Sequence, residues 1–371
     1  MYKKVFSIII SALFLISMLP GCNRGQTTSN QTGSIPSQPD TSLVIDEITT
    51  PDVPLPDPVP DQDLNDPIMQ MESASLQYPS QNDTWKYNVY DCYIEITGYL
   101  GPEEADAVIP AEIDGLPVWK LGDGSLMDAE IKSAQLPDCL ESIGMLAFAN
   151  SKIETIIMPK ELAAVGQRAF DGCVRLSAIG IPEGVIGVAK ETFEGCENLS
   201  EISLPESLTF IDESAFSGCV SLSNITIPEN VTYIGPLAFT KCTSLHSVYV
   251  PAAVKKIESW TFSHCTNLSQ VQLEEGIESI EEGAFSDCQN LESLVLPASV
   301  SSIGTNEWHR PPFDGVADNF DLTILNPDIV LHESIRIFGQ YQSENKVIHG
   351  YAGSTAAKYC ANRHIAFQLI E

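Results

Sequence analysis

The chain has 371 residues, with 50 Asp and Glu against 19 Lys and Arg, and a formal charge of −31 with His neutral. Such acidity repels a phosphate backbone and argues against a nucleic-acid partner. Apolar residues at 43% are too many for a wholly disordered chain, and 10 Cys over this length are too sparse for a small disulfide scaffold.

The chain opens on Met1-Tyr2-Lys3-Lys4, followed by the apolar stretch Val5 to Met18. A short basic start before an apolar run of about fourteen residues has the size of a secretory signal core and is short for a bilayer span. The run ends in Leu19-Pro20-Gly21-Cys22. This ending resembles the bacterial lipobox, Leu-x-Gly-Cys, and the resemblance implies that residues 1–21 are removed and that Cys22 carries the lipid. An ordinary signal peptide with a coincidental Cys is the alternative. A lipid on Cys22 implies a membrane partner on the extracytoplasmic side.

Residues 22–81 read as a tether. Asn23 to Ser42 is mostly Thr, Ser, Gln, Asn and Gly, and Pro51, Pro54, Pro56, Pro58, Pro60 and Pro67 then alternate with Asp residues. Residues 23–84 hold ten acids and a single cation, Arg24. Proline content and like charges keep such a spacer extended, and it has too little apolar surface to offset chain entropy. The short apolar patch Leu43-Val44-Ile45 does not alter this.

From about residue 115 the sequence repeats itself. Leu176, Leu199, Leu222, Leu245, Leu268 and Leu291 step by 23 residues. Phe170, Phe193, Phe216, Phe239, Phe262 and Phe285 keep the same step, and so do Cys173, Cys196, Cys219, Cys242, Cys265 and Cys288. Earlier coils are a residue shorter, with Leu126, Phe148 and Phe170 spaced by 22. Self-similarity at this period predicts a solenoid. In each unit, Leu-x-x-Ile-x-Ile has the alternation of a half-buried strand, Pro ends it, and a second short alternating piece follows. Ala-Phe comes next, and the spacing places it on one helical turn. A single coil cannot bury its own Phe, Leu and Ile; stacking turns them into ladders.

The pattern Leu-x-x-Ile-x-Ile-Pro-x-x-Val-x-x-Ile-Gly-x-x-Ala-Phe-x-x-Cys resembles the BspA-type leucine-rich repeat family of bacterial surface proteins, over about residues 85–370. The resemblance implies a right-handed, β-rich leucine-rich-repeat solenoid of 22–23-residue coils, capped at both ends. It also implies adhesion to, or recognition of, host or partner macromolecules, with ligands that differ between members. The Asn ladder of better-known leucine-rich repeats survives only at Asn230, so their horseshoe curvature is not carried over. The expected layout is a signal peptide (1–21), a tether (22–81), an N-terminal cap (82–120), the solenoid (121–327) and a C-terminal cap (328–371). Trp85 to Tyr99 alternates like a hairpin at one end. At the other, Ser354 N-caps a helix from Thr355 to about Arg363, followed by a strand at Ile365 to Leu369. The coil between Phe285 and Phe313 spans 28 residues and carries an insertion near Asn306 to Pro312.

Four kinds of site are open to the sequence. The Cys ladder reads as buried, unpaired thiols, because parallel Cβ vectors do not suit disulfides and no Cys-x-x-Cys pairs suit zinc. Glu183, Glu206, Glu229 and Glu275 recur beside the Pro position; solvated turn charges are the plain reading and a divalent cation the alternative. The six His are scattered, and no His-Glu-x-x-His, Gly-x-Ser-x-Gly, phosphate-loop or dinucleotide motif is present, so neither catalysis nor a cofactor is expected. Finally, outward strand positions form a polar, nearly uncharged strip suited to protein or glycan contact: Asn224, Thr226, Ser247, Tyr249, Gln270 and Gln272. Small polar residues also simply suit a solvent-facing sheet. Trp308 and Arg310 in the insertion are the second candidate surface, as Trp and Arg dominate interface energetics. The functional expectation is a surface-tethered module that binds an extracellular protein or glycan, with a ligand-free envelope spacer as the alternative.

Overall fold

The structure is a computed structural model that describes residues 71, 74–304, 310–331, 336–339 and 345–370. The signal segment, Cys22, the tether to residue 70, Trp308 and His309 lie outside the described residues. The described residues all belong to one compact unit, Pro67–Glu371. Among them, no helix is long and apolar enough to cross a membrane.

Each coil contributes two short strands and a turn. The first strand line includes Thr155–Ile157, Ala178–Gly180, Glu201–Ser203, Ser247–Val250, Gln270–Leu273, Ser293–Leu296, Asp321–Ile324 and Val347–Gly350. The second includes Gly187–Val188, Phe210–Ile211, Tyr233–Ile234, Lys256–Ile257, Ser279–Ile280 and Ser302–Ile303. Equivalent residues of successive coils pair in parallel: Ala178 with Glu201, Ser247 with Gln270, Ser293 with Asp321 and, on the second line, Phe210 with Tyr233. The repeat step thus fixes the register, because a slip of one residue would turn every Ile and Val out of the core. The segment Asn224–Thr226 keeps the alternation, with Ile225 and Ile227 buried, yet joins no strand ladder, so the first line is interrupted there.

The helical turn expected at Ala-Phe does not form. Residues two positions before and two positions after each Phe adopt left-handed backbone, as in Arg168 (φ 57°) and Gly172 (φ 68°) around Phe170, or Leu237 (φ 60°) and Lys241 (φ 61°) around Phe239. A right-handed helix cannot run through those positions. Amides alternate instead between two partners. Arg168, Phe170 and Gly172 donate to Lys190, Thr192 and Glu194 of the next coil at 2.7–3.0 Å, while Asp171 and Cys173 close local bonds to the carbonyl three residues back. The turn is therefore a third intercoil ladder. Left-handed conformation at non-glycine residues costs about 1–2 kcal/mol each, and the intercoil bonds on either side hold it in place.

The core is a column of rings. Phe148, Phe170, Phe193, Phe216, Phe239, Phe262, Phe285 and Phe313 are fully buried, with successive centroids 5.1–5.8 Å apart and planes within 13° of parallel. That spacing exceeds ring thickness, so the rings are offset, as their quadrupoles favour. The irregular coil keeps its place in the column, with Phe313 at 5.8 Å from Phe285.

The repeated Cys has a hydrogen-bonding role. Each ladder thiol is buried and unpaired in a disulfide, and donates to the Phe carbonyl of the preceding coil: Cys196 to Phe170 at 3.1 Å, Cys219 to Phe193 at 3.2 Å, Cys265 to Phe239 at 3.1 Å. A small apolar body with a weak donor suits a position that must fill volume and reach one carbonyl. Burial pushes these thiols up, Cys173 and Cys242 to about 12, so they stay protonated at neutral pH. Alkylating the native chain at pH 8 should therefore leave the six ladder Cys unmodified while the half-buried Cys92 and Cys139 react, as peptide mass spectrometry would record. Labelling of Cys219 or Cys242 without unfolding would contradict this packing.

The N-terminal cap is the hairpin Trp85–Tyr90 with Ile94–Tyr99, whose second strand continues in parallel into Leu116–Leu121. An added edge strand, Leu76–Gln81, pairs with Trp85–Tyr90 inside the stretch expected to be spacer. Its side chains are largely exposed, so burial patterning gave no signal for it. Under the hairpin, Lys120 and Glu95 form an ion pair at 2.8 Å, and Glu95 also accepts from Asn88 at 2.9 Å and Tyr90 at 3.3 Å. At the C-terminus, the helix Thr355–Arg363 starts at Ser354, whose hydroxyl accepts from Ala357 N–H at 3.1 Å, and buries Ala356, Tyr359 and Cys360. The strand Ala366–Leu369 then pairs with Val347–Gly350.

Candidate functional site

The first strand line positions the candidate face. Inward residues alternate with outward ones, so one ladder carries Thr155, Ala178, Glu201, Asn224, Ser247 and Gln270, and its neighbour carries Ile157, Gly180, Ser203, Thr226, Tyr249 and Gln272. The pairings Ser247 with Gln270 and Tyr249 with Gln272 place four of the expected residues side by side. Asn224 and Thr226 are exposed on the same face, in the segment that interrupts the strand line.

Across this face the side chains shrink in the middle. Ala178, Gly180 and Ser203 floor a groove of about 680 Å³, which Glu201, Asn224 and Thr226 also line. Ile157, 81% exposed, stands on the coil before Gly180. Tyr249 stands on the coil after Thr226. The ladder therefore runs large, small, small, small, large, and at about 4.8 Å per coil the two flanking side chains sit roughly 19 Å apart. A Cβ at position 180 would lie 2.9 Å from Ser203 Oγ, so a side chain there would have to turn that hydroxyl aside.

The groove's chemistry is hydroxyl, amide and one carboxylate. Ser200, Ser203, Ser223 and Thr226 offer hydroxyls, and Glu201 is the charged group in the lining. The amide of Asn224 donates to Ser223 Oγ at 3.2 Å, and the amide of Gln272 donates to Glu274 at 2.8 Å. Partial desolvation at the sheet surface, then the hydrogen bond to Glu229 and its charge, raise the Tyr249 phenol above the usual value. Mixed hydroxyls with a flanking Tyr suit neutral polar partners, because hydroxyls both donate and accept.

Arg310 does not join this face. It lies on the turn ladder, where its carbonyl accepts from Gly283 N–H at 2.9 Å. Its guanidinium is engaged within the chain: with Asp287 at 2.8 Å, with Asp314 at 2.8 Å, and over the Trp260 ring at 5.9 Å. The Trp260 ring lies across Gly283, which leaves it room. Arg310 thus fastens the end of the irregular coil to the preceding turns, apart from the strand residues. Trp308 falls outside the described residues.

Two arrangements were hidden from the sequence. Glu183 spans to the next coil, accepting from Glu206 N–H at 3.3 Å and Ser207 N–H at 3.2 Å, and Glu275 does the same for Ala298 at 2.9 Å and Ser299 at 3.0 Å. Both carboxylates are exposed turn charges, and in addition they satisfy amides of the following turn. The bond from Ala298 holds the Glu275 carboxyl below the ordinary Glu value. A depressed carboxylate contributes stability above its unfolded pKa and loses it as pH falls through the folded one. Glu275→Gln should accordingly flatten the loss of stability on acidification below about pH 5, measured as urea midpoints; an unchanged pH profile would refute the assignment. Among the described residues, no group of three or more His, Cys, Asp and Glu is placed to hold a metal.

The second arrangement joins Ser263, His264 and Asp287, with Ser263 Oγ 2.7 Å from His264 Nδ1 and His264 Nε2 3.1 Å from Asp287. It has hydrolase residue types, but Ser263 is 1% exposed and also bonds Ser286 Oγ at 2.9 Å. A nucleophile must reach its substrate, so this cluster braces the turn.

Comparison with known proteins follows from this geometry. The sequence matches the BspA type leucine rich repeat region in six copies, at residues 120–245 and 186–310, which together cover just over half of the chain. No curated protein matches it. Among solved structures, a leucine rich repeat protein of T. pallidum is 29% identical, covering 58% of this chain and 91% of its own, with a TM-score of 0.42. A leucine rich cell surface protein of Faecalibacterium prausnitzii is 22% identical, with 76% and 97% covered and a TM-score of 0.41. The pneumococcal vaccine antigen PcpA is 17% identical, with 80% and 99% covered and a TM-score of 0.44. With its repeated Leu, Phe and Cys ladders and the six matched copies, the chain belongs to the BspA-type leucine-rich repeat family.

Proposed function

We propose that this protein is a non-catalytic binding module, lipid-anchored through Cys22 on the extracytoplasmic side, whose outward strand face holds an extracellular protein or glycan. The observation that carries the reading is the groove of about 680 Å³ over Ala178, Gly180 and Ser203, placed between Ile157 and Tyr249 on an otherwise regular face. The lipid and the acidic, proline-rich spacer would hold the face away from the membrane.

The test is a glycan and extracellular-protein array probed with the full chain and with Ala178→Trp, which fills the groove from an exposed position. The expected result is a ligand whose affinity falls at least tenfold in the variant while the thermal midpoint is unchanged. Equal binding by both chains would overturn the groove's role, and no ligand at all would favour the spacer reading. The anchor is checked separately: Cys22→Ala should move the protein from the membrane fraction to the soluble one.

A further inference from the structure

The groove on the strand face is graduated by the coils beneath it. Between Ile157 and Tyr249 lie three coils, and each presents a small residue at the same outward position: Gly180, Ser203 and Thr226. Successive coils stand about 4.8 Å apart, as in the pairing of Ala178 with Glu201. A ligand lying along the solenoid axis therefore meets a new set of groups at every such step.

On two of the coils that set is a hydroxyl, a larger polar group and a second hydroxyl: Ser200, Glu201 and Ser203, then Ser223, Asn224 and Thr226. The side chains of Glu201, Ser203 and Thr226 are exposed and make no hydrogen bond or ion pair with other described residues. A carboxylate can accept from two neighbouring hydroxyls at once, an amide donates and accepts, and a hydroxyl does both. Tyr249, on the coil after Thr226, adds an aromatic face whose negative quadrupole attracts C–H groups. A sugar ring, with hydroxyls at its rim and C–H groups on its face, satisfies all of these.

Charge narrows the class. Glu201 is the charged group in the lining, and no Lys or Arg joins it there. Where the strands end, the residues after Pro are Lys160, Glu183, Glu206 and Glu229. Before the strands, Arg175 is paired with Glu104 at 3.5 Å and Glu154 at 3.8 Å, and His246 Nδ1 lies 2.5 Å from Ser244 O. An anionic ligand would meet Glu201 with no cation in the lining to receive it. Spacing narrows the class further. An extended peptide advances about 3.3 Å per residue, out of step with the coils, whereas one pyranose unit of an extended glycan is close to a coil step in length.

We infer that the groove takes a neutral linear glycan laid along the solenoid axis, one sugar unit per coil and three units between Ile157 and Tyr249. The unit over Asn224 and Thr226 packs against the Tyr249 ring, the next gives its hydroxyls to Glu201, and the third lies over Ala178 and Gly180. This inference rests on the groove reading above and adds the class, length and direction of the ligand.

The test is titration calorimetry of the full chain with β-linked glucose, mannose, galactose and N-acetylglucosamine oligomers of one to five units. Galacturonate oligomers and two octapeptides, one alternating Ser with Ala and one alternating Ser with Lys, complete the panel. One neutral series should bind, with affinity rising at least tenfold from one unit to three, levelling off beyond, and indifferent to salt. Tyr249→Ala should weaken the trimer at least tenfold and Glu201→Gln at least fivefold, both at an unchanged thermal midpoint. Failure of every neutral series, tighter binding of a galacturonate or a peptide, or affinity that keeps climbing to five units would overturn the inference. Ala178→Trp separates the two levels. A protein or peptide bound by the parent chain and lost in this variant would overturn the glycan and leave the groove reading standing. A neutral glycan bound equally by both chains would overturn both.

Discussion

Phe216→Ala should destabilise the solenoid by about 3–5 kcal/mol, the range for removing a buried aromatic side chain. The ring is fully buried and stacked on both sides, 5.5 Å from Phe193 and 5.3 Å from Phe239. Truncation empties a place in a continuous column, and the neighbouring coils cannot close over it without breaking the amide bonds from Phe216 to Ala238 at 2.8 Å and from Phe193 to Ala215 at 2.9 Å. Since each coil contacts only its neighbours, the loss falls on two interfaces at once. The thermal midpoint should drop by at least about 6 °C, given roughly 2–4 °C per kcal/mol for chains of 150–250 residues. Phe216→Leu, which keeps most of the volume, should recover more than half of the loss. A drop below about 1 kcal/mol in urea unfolding would show that the column is not the main source of cohesion.

Glu95→Ala in the N-terminal cap should cost about 1–3 kcal/mol, the range for leaving buried hydrogen-bonding groups unsatisfied, because Glu95 is buried while Lys120 keeps 34% of its side chain in water. Glu95 is 7% exposed and is satisfied by Lys120, Asn88 and Tyr90 together. The truncation would leave a partly exposed ammonium, an amide and a phenol to find other partners. Burial alone would lower the pKa of Lys120, but the charge and hydrogen bond of Glu95 outweigh it and raise it. For a raised lysine, the stability it contributes is fully present below the unfolded value and is lost as pH rises through the folded one. On the alkaline side the lysine's contribution should therefore persist past neutral pH and be lost only as pH rises through its raised pKa. Glu95→Gln with Lys120→Met should be better tolerated than Glu95→Ala, because no charge is left unmatched. If the double variant is no more stable than Glu95→Ala in denaturant titrations, the electrostatic account fails and packing explains the loss.

Much of this fold was legible in the sequence because one signal repeats. The 23-residue step of Leu, Phe and Cys sets the coil length, the register and the ladders those residues form. The Phe turn was misread because Ala-Phe spacing alone does not reveal left-handed backbone at residues as ordinary as Arg168, Glu191 and Leu237. Those conformations are imposed by intercoil bonds, which are tertiary. The strand Leu76–Gln81 was missed for a related reason: an edge strand with exposed side chains lacks the buried-exposed alternation that marks other strands. The outward positions were correctly placed on one face, but the groove was not seen. It arises from what Ala178, Gly180 and Ser203 lack rather than from any residue they share, and small residues at single positions carry little weight until their neighbours are aligned across coils. Arg310 shows the opposite limit. Its residue type suggested a binding contact, whereas Asp287, Asp314 and Trp260 occupy it within the chain.

The three ladders make coil number a free variable. Every regular coil offers the same strand, turn and ring to the coil before it as to the coil after it, so excising one 23-residue period, such as residues 202–224, joins surfaces that already match. The shortened chain should keep its column of rings, while Tyr249 moves one step, about 4.8 Å, closer to Ile157. Selection acting on duplication and loss of whole periods could thus change the length of the recognised ligand in fixed increments without altering the chemistry of either flank.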